Sequence, residues 1–210
     1  MMTAERPERV LLVGASGVIG RAVHAMLEDE FEVIPAGLDE GGIVMDLADP
    51  AALEAGLDRA GRLHHVISTA GRAAFAPLAD ITPATMGASA YGLGLADKLM
   101  GQVNLALAAR GRLAPGGSVV LTSGTTDLEP IPGGSSLSMV NGALSAWVRA
   151  AASEFPPGLR LNLVSPGLVA ESPPPALRAF AGFEAVPARR VALAYLRCLK
   201  SGLTGQTLSV

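Results

Sequence analysis

The sequence predicts an α/β protein in which helices cover both faces of a doubly wound parallel sheet of about seven strands. Short aliphatic runs recur along the 210 residues, and amphipathic stretches lie between most of them. This alternation of strand and helix is typical of parallel sheets. Half of the residues are hydrophobic and 17% are charged, which indicates a single domain, residues 1–210, with a sizeable core.

The strands are predicted from aliphatic runs and the helices from amphipathic spacing. The predicted strands are 10–13, 32–36, 43–46, 65–69, 118–122, 160–164 and a last one near 207–210. The predicted helices are 21–30, 50–59, roughly 86–110, 137–155 and 188–199. About five residues, 37–41, join the second and third strands, which is too short for a crossover helix. We therefore expect the third strand to be a short edge strand.

A glycine-rich loop follows the first strand. Residues 14–20 read Gly-Ala-Ser-Gly-Val-Ile-Gly, and the first amphipathic run begins directly after them. Glycine at 14 allows a tight turn, glycine at 17 lets an anion approach, and glycine at 20 lets the helix pack on the strand. Because the N-terminus of a helix attracts phosphate, the loop predicts a diphosphate site. A plain strand-to-helix turn is the alternative.

Charge and cysteine content exclude several other classes. The net charge is −3 and there is no basic run, so we expect no nucleic-acid partner. The single cysteine, Cys198, excludes an internal disulfide, and no cysteine–histidine cluster has zinc spacing. His64 and His65 are predicted to be surface residues where a loop meets a strand. No signal peptide or membrane span is visible, so we expect a cytoplasmic protein with no membrane partner.

Further landmarks follow the glycine loop in order. Asp46-Leu47 comes after the third strand, and Ser68-Thr69-Ala70-Gly71 ends the fourth. Residues 117–123 read Gly-Ser-Val-Val-Leu-Thr-Ser, residues 161–167 Leu-Asn-Leu-Val-Ser-Pro-Gly, and residues 204–210 Thr-Gly-Gln-Thr-Leu-Ser-Val. Together they resemble the short-chain dehydrogenase/reductase superfamily, whose members are Rossmann domains that bind NAD or NADP. The glycine spacing resembles that of its extended and atypical branches.

The resemblance implies a set of cofactor-binding residues, with Asp46 on the adenine amino group. They are Gly14, Ser16, Gly17, Val18, Ile19, Gly20, Leu38, Asp46, Leu47, Ala70, Gly71, Pro166 and Gly167. Enzymes that use NAD carry an acid at the end of the second strand, and enzymes that use NADP carry an arginine nearby. Gly37 and Leu38 occupy those positions here, and Asp39 comes one place later. The choice between NAD and NADP therefore stays open.

The catalytic positions depart from the family pattern. Members usually reduce a carbonyl with a serine, a tyrosine and a lysine, helped by an asparagine. Alignment on the fifth strand and the helix after it places Gly124 in the serine position, Leu137 in the tyrosine position and Asn141 in the lysine position. The segment 97–103 in turn places Lys98 in the asparagine position. The chain therefore lacks the Tyr-x-x-x-Lys motif.

We interpret these departures as a reciprocal exchange, in which Lys98 and Asn141 occupy each other's usual places. A partly buried lysine would have a lowered pKa and act as acid or base; an exposed helix lysine is the alternative. Ser123 follows the fifth strand and could bond a substrate oxygen, as could Thr125 and Thr126, although such residues are also common in turns. The predicted catalytic residues are Lys98, Ser123 and Asn141. Glu171 is either a new acid/base group or a solvated loop residue.

The resemblance implies an NAD(P)-dependent oxidoreductase that acts on a small carbonyl or hydroxyl compound. The alternatives are a non-redox enzyme on the same scaffold (a dehydratase, isomerase or cyclase) and a catalytically silent regulatory protein that binds a dinucleotide.

The substrate segment and the assembly follow from the same resemblance. Substrate specificity would come from about twenty residues after Pro166-Gly167, where the proline-rich 172–175 is predicted to be a stiff surface loop. Phe75, Phe180 and Phe183 would line it, or would simply pack. Family members commonly form homodimers or homotetramers through the fourth and fifth helices of the fold, here 86–110 and 137–155. These helices are rich in alanine and glycine, so we expect a homo-oligomer.

Overall fold

The computed structural model describes residues 7–38 and 42–210. Within these ranges seven strands form one sheet in the order β3-β2-β1-β4-β5-β6-β7, and every neighbouring pair is parallel. The strands are β1 (Arg9–Val13), β2 (Glu32–Gly37), β3 (Ile43–Val44), β4 (Leu63–Ser68), β5 (Leu113–Thr122), β6 (Arg160–Ser165) and β7 (Thr207–Ser209). The predicted fold class is confirmed.

Helices cover both faces of this sheet. They are α1 (Val18–Leu27), α2 (Pro50–Ala60), α3 (Gly101–Ala109), α4 (Ser135–Ala152), α5 (Pro174–Ala179) and α6 (Ala188–Lys200). A π-helical segment, Gly94–Met100, runs directly into α3, and a 3₁₀ turn, Thr125–Asp127, follows β5.

The core consists of two layers, one on each side of the sheet. Alternate residues of β1 belong to different layers: Leu11 and Val13 pack towards α2, α3 and α4, whereas Val10 and Leu12 pack towards α1 and α6. All four side chains are fully buried. Because a parallel sheet is buried on both faces, its strands are continuous aliphatic runs rather than alternating ones.

The third strand is the short edge strand that the sequence predicts. β3 has two residues and pairs only with β2, through Ala36–Ile43 and Gly37–Val44. It ends at Val44, before the predicted position 46, and the Asp46 carboxylate folds back to accept a hydrogen bond from the Ala48 N–H at 2.9 Å. Such a side-chain turn stops strand pairing. Asp39 lies outside the described residues.

The helix predicted over roughly 86–110 is interrupted in its first part. A 3₁₀ turn at Met86–Ala88 and an irregular stretch come first, and helical structure begins again at Gly92, two residues before the π-helical segment. Glycines at 87, 92 and 94 weaken a regular helix there. A side chain at 92 would also lie 2.2 Å from the Met86 carbonyl oxygen, so the turn needs glycine at this position.

Two local predictions are also corrected. His64 and His65 both lie inside β4, and His65 is buried, with its Nδ1 2.9 Å from the Ser118 hydroxyl. Burial lowers the pKa of His65. The proline-rich stretch is not only a loop, because α5 begins at Pro174. Proline suits the first turn of a helix, where its missing N–H has no intrahelical partner.

Candidate active site

The glycine loop joins β1 to α1 at the carboxyl edge of the sheet. Gly14 has a φ of +85°, and its N–H donates to the Ala36 carbonyl at 2.8 Å. A Cβ at Gly14 would lie 2.7 Å from the Ala70 nitrogen, and a Cβ at Gly20 would lie 2.0 Å from the Gly14 carbonyl oxygen. The turn and the packing of α1 therefore require these two glycines.

Gly17 is different, because the protein itself leaves room for a side chain there. A Cβ at this position would meet nothing closer than the Gly14 carbonyl oxygen at 3.4 Å. Gly17 caps α1, whose first turn carries no acid and no capping side chain. The amide groups at this helix end thus keep free donors and a partial positive charge. The space at Gly17 suits an anion such as a phosphate.

A cleft of about 200 Å³ opens beside this loop, at the carboxyl ends of β1 to β4. Eight of the predicted cofactor residues line it: Gly14, Ser16, Gly17, Leu38, Asp46, Leu47, Ala70 and Gly71. Val18 and Gly20 lie in the first turn of α1 and are not among its lining residues. Arg72 and Asp97 are among the lining residues of the cleft that were not predicted to bind the cofactor.

Arg72 and Asp97 join the end of β4 to the π-helical segment. The Asp97 carboxylate accepts from the Arg72 backbone N–H at 2.6 Å, and from Nε and Nη2 at 2.9 and 2.8 Å. The hydrogen bond to Asp97 is the main cause that raises the pKa of Arg72. A forked pair of this kind fixes both geometry and charge. In the sequence, the signal for this pair is Asp97, an acid next to Lys98 in an apolar stretch.

A second cavity, of about 210 Å³, lies between the end of β5, α4 and the turn after β6. It brings together all three predicted catalytic residues, Lys98, Ser123 and Asn141. Three predicted cofactor residues, Ile19, Pro166 and Gly167, also line it. Because Ile19 belongs to the glycine loop, that loop borders both the cleft and the cavity.

Lys98 enters this cavity from the π-helical segment. Its Nζ donates to the Ser123 carbonyl at 3.1 Å, and the residue is 9% exposed. Burial lowers the pKa of Lys98 to about 8, although the charge of Asp127 acts in the opposite direction. A Cβ at Gly71 would lie 2.7 Å from Lys98 Cγ, so glycine at 71 permits this approach. The alternative of an exposed helix lysine does not describe this side chain.

Gln102 ties the backbone of this segment to β5. Its Nε2 donates to the Lys98 and Thr122 carbonyls at 3.1 and 2.8 Å, and its Oε1 accepts from the Thr122 N–H at 2.8 Å. Gln102 is fully buried. The Gln102 amide thus bonds the backbone of β5 at Thr122, past the last residue that pairs with β4. It also holds the Lys98 backbone against the end of β5.

Asn141 lies directly against Gly124, the residue in the family's serine position. Its Nδ2 donates to Thr126 Oγ1 at 2.8 Å, and a Cβ at Gly124 would lie 2.9 Å from that same nitrogen. A serine at 124 therefore conflicts with Asn141 as it is placed. Leu137, in the tyrosine position, adds an apolar wall to the cavity.

Several polar atoms in this cavity have no partner within the protein. Ser123 Oγ, Thr125 Oγ1 and Asn141 Oδ1 are all buried and form no hydrogen bond among the described residues. Buried polar groups are almost always paired in native proteins. The three unpaired atoms around this cavity are therefore available to bond water or a polar ligand.

The remaining candidates divide between the cavity and the scaffold. The Glu171 carboxylate accepts from the Ala188 N–H at 2.8 Å, so it caps the N-terminus of α6, where a negative charge is favourable. Phe180 lines the cavity, and Phe183, edge-on to Phe180 at 5.4 Å, lines an adjoining groove of about 800 Å³. Phe75 lies away from both and packs beside Gly133.

No helix in 7–38 and 42–210 is long and apolar enough to cross a membrane. In the same part of the chain no group of three or more histidine, cysteine, aspartate or glutamate residues has the arrangement of a metal site.

The family model and the curated relative that match this chain are both described as reductases. Residues 13–208 match the model of a family described as enoyl-(acyl carrier protein) reductase. A curated relative, 1-cyclohexenylcarbonyl-CoA reductase of Streptomyces collinus, is 28% identical over 191 residues, which are 80% of this chain and 66% of that enzyme. This chain thus spans slightly less than two thirds of that relative's length.

Several solved structures resemble this chain over nearly their whole length. A protein of Listeria innocua is 36% identical, with a TM-score of 0.91 over 97% of this chain and 99% of its own. A small-chain dehydrogenase in complex with NADPH is 24% identical, with a TM-score of 0.83 over 98% and 97% of the two chains. A short-chain dehydrogenase of Burkholderia cenocepacia in complex with NADP is 23% identical, with a TM-score of 0.82 over 97% and 96%. The last two likenesses show the fold.

Proposed function

The chain belongs to the short-chain dehydrogenase/reductase superfamily, and on that premise we propose that it transfers hydride between NAD or NADP and a small carbonyl or hydroxyl compound. The observation that carries this proposal is the convergence of Lys98, Ser123 and Asn141 in one cavity that the glycine loop borders. The loop accounts for the cofactor, and the three side chains account for the chemistry at the substrate.

The residues present fit a dinucleotide. The adenosine half would lie in the cleft beside Leu38 and Asp46, and the diphosphate at the uncapped end of α1 near Gly17. The nicotinamide half would reach the cavity past Ile19, where buried polar atoms lack partners. When bound, the nicotinamide supplies or accepts the hydride.

Lys98 would then supply the proton in place of the missing tyrosine. As an ammonium it keeps two N–H donors beyond the one given to the Ser123 carbonyl. A pKa of about 8 puts it near working pH, where a general acid is most effective. The Ser123 hydroxyl would bind the substrate oxygen beside it. Leu137 and Phe180 would keep water away from the reacting atoms.

The size of the site suggests which substrates to test. The inner cavity takes a small reactive group, and the open groove beyond Leu168, lined by Glu129, Glu184 and Arg190, leaves room for a longer substituent. The family described as enoyl-(acyl carrier protein) reductase and the relative named 1-cyclohexenylcarbonyl-CoA reductase suggest unsaturated thioesters as a second substrate class. A test panel should therefore hold small ketones, small aldehydes and a 2-enoyl thioester.

The test compares the wild type with Lys98→Met and Lys200→Met, the second being an exposed lysine outside the site. NADH and NADPH binding is titrated by fluorescence, and turnover of the panel is followed by absorbance of the reduced nicotinamide. We expect Lys98→Met to lower kcat by about 10² to 10⁴, the usual contribution of a general acid. Affinity for the dinucleotide should change little. Reduction by the wild type should fall as pH rises through about 8, because Lys98 loses its proton there.

Other results of these binding and turnover measurements would support a different function or overturn the proposal. Tight dinucleotide binding without turnover of any substrate would support a regulatory binding protein. Conversion of a substrate without cofactor consumption would support a dehydratase, isomerase or cyclase. No measurable affinity for either dinucleotide would overturn the proposal.

A further inference from the structure

Lys98 has a second chemical capacity that needs no dinucleotide. The chain contains two lysines. Lys200 is about half exposed, pairs with Glu30 at 2.6 Å, and lies 4.7 Å from the centre of the Phe31 ring. Lys98 has no carboxylate within ion-pair distance among the described residues, and its Nζ donates only to the Ser123 carbonyl. Its nitrogen is therefore not held as one half of a salt bridge.

The surroundings of Lys98 raise the fraction of its side chain that is present as the neutral amine. Burial lowers its pKa to about 8, and among the described residues Asp127 is the charged group that acts against this shift. From the other elements around the cavity the neighbours are uncharged: Ser123 at the end of β5 and Asn141 on α4. At pH 8 about half of the molecules then carry a free amine, against roughly 0.4% for an ordinary lysine. A desolvated neutral lysine is a nucleophile towards carbonyl compounds.

The cavity has the size and the groups for such a reaction. About 210 Å³ is available, and Ile19, Leu137 and Phe180 supply apolar walls that disfavour water. Two buried hydroxyls on the same cavity, Ser123 Oγ and Thr125 Oγ1, have no partner within the described protein. Hydroxyls of this kind can carry protons between the nitrogen and the oxygen of a bound carbonyl compound.

We propose that Lys98 captures small aldehydes and ketones in this cavity as an imine, an activity beyond hydride transfer. The Nζ lone pair forms a bond to the carbonyl carbon, the carbonyl oxygen takes a proton, and the nitrogen loses one. The carbon–oxygen bond then breaks, and the oxygen leaves as water with the second proton from nitrogen. Amine and carbonyl compound become imine and water, and nothing is oxidised or reduced.

The capture would give the site a non-redox reactivity. An imine that regains a proton on nitrogen withdraws electrons through its C=N carbon, so the hydrogens on the carbon attached to that C=N carbon become acidic. The ligand would then exchange those hydrogens with solvent. The same cavity would thus act on carbonyl compounds while no dinucleotide is present.

The experiment traps the imine on the full chain without any dinucleotide. Wild type, Lys98→Arg and Lys200→Arg are incubated with butanal and sodium cyanoborohydride, and peptides are then analysed by mass. We expect the butyl group on Lys98 at least about tenfold faster than on Lys200, given the larger neutral fraction. Labelling should rise with pH through about 8. It should persist in Lys200→Arg and be absent from position 98 in Lys98→Arg.

The outcomes separate this proposal from the reductase proposal. Label confined to Lys200 or to the terminal amine of the folded wild type overturns it. Label on Lys98 that appears only in urea also overturns it, because an unfolded chain has no cavity. Wild type and Lys200→Arg decide the matter even if Lys98→Arg does not fold. Failure of dinucleotide binding, measured separately without aldehyde, would overturn the reductase proposal and leave this one standing.

Discussion

The buried ammonium of Lys98 lowers the stability of the fold. A shift of its pKa from 10.5 to about 8 corresponds to about 3 kcal/mol at neutral pH. Methionine has a similar length and no charge, but it gives up the hydrogen bond to the Ser123 carbonyl, worth about 1 kcal/mol. We therefore expect Lys98→Met to raise the free energy of unfolding by about 2 kcal/mol at pH 7, measured by urea denaturation.

The pH dependence of that gain tests its cause. Between pH 8 and 10.5 the unfolded chain binds more protons at Lys98 than the folded chain does, so the wild type gains stability as pH rises. Above that window Lys98 is neutral in both states and the penalty is gone. The advantage of Lys98→Met over the wild type should hence shrink between pH 7 and pH 10. An equal advantage at both pH values would contradict a charge effect.

Gly124 and Asn141 form a coupled pair. A Cβ at 124 would lie 2.9 Å from Asn141 Nδ2, which is held by Thr126. Gly124→Ser should therefore break the bond between Asn141 and Thr126 and lower the free energy of unfolding by about 1 to 3 kcal/mol, the usual range for overpacking. In Asn141→Ala, which removes the conflicting amide, the same substitution should cost less. A double-mutant cycle by denaturation measures the coupling, and additive effects would refute it.

At the residue scale, alignment with the family predicts which residues lie near the site better than it predicts which side chains bond to each other. Alignment placed Lys98 and Asn141 in each other's family positions, and both side chains line one cavity. The forked pair between Arg72 and Asp97 was missed, as was the clamp of Gln102 on Thr122. Each joins residues about 20 or more positions apart across two elements. No local period in the sequence reports such a contact.

The first turn of α1 allows a test at the scale of an element. A Cβ at Gly17 has ordinary room, whereas a Cβ at Gly20 would strike the Gly14 carbonyl. Gly17→Ala should leave stability nearly unchanged and weaken dinucleotide binding by tenfold or more, because the methyl group would occupy the space left for phosphate. Fluorescence titration measures the affinity, and thermal unfolding measures the stability.

Two further variants, Gly111→Ala and Gly20→Ala, are compared with Gly17→Ala. Gly111→Ala is the matched control, since a Cβ at 111 meets nothing within 4 Å, and it should change neither quantity. Gly20→Ala should unfold or distort the loop. If Gly17→Ala binds as tightly as Gly111→Ala, the phosphate does not lie at this helix end.

At the element scale, strongly periodic segments were predicted well and special turns were not. The short β3 followed from a connection of about five residues, and α6 begins at 188, the predicted position. The π-helical segment that carries Lys98 was missed, because its i→i+5 bonding has no sequence period of its own. Such segments are rare and concentrate at functional sites, in keeping with its place beside the cavity.

At the scale of the whole molecule, three large apolar side chains are exposed on the helices that cover one face of the sheet. Met100 and Leu107 lie seven residues apart along the π-helical segment and α3, and both are more than 40% exposed. Met139 on the adjacent α4 is 40% exposed. Exposed apolar side chains on these helices suit an interface in which a partner would cover them. We therefore expect two copies to pair through these helices, as the sequence analysis predicts from the family.

Size-exclusion chromatography with light scattering tests that assembly. The wild type should elute with two or four times the mass of the chain, and Leu107→Glu should elute as the monomer, because a buried charge without a partner disrupts an interface. Leu193→Glu is the control: Leu193 is also exposed, but it lies on α6, on the opposite face of the sheet. A monomeric wild type would refute the expectation, as would dissociation by Leu193→Glu alone. Since Met100 ends the segment that holds Lys98, we also expect the monomeric variant to lose turnover more than dinucleotide affinity.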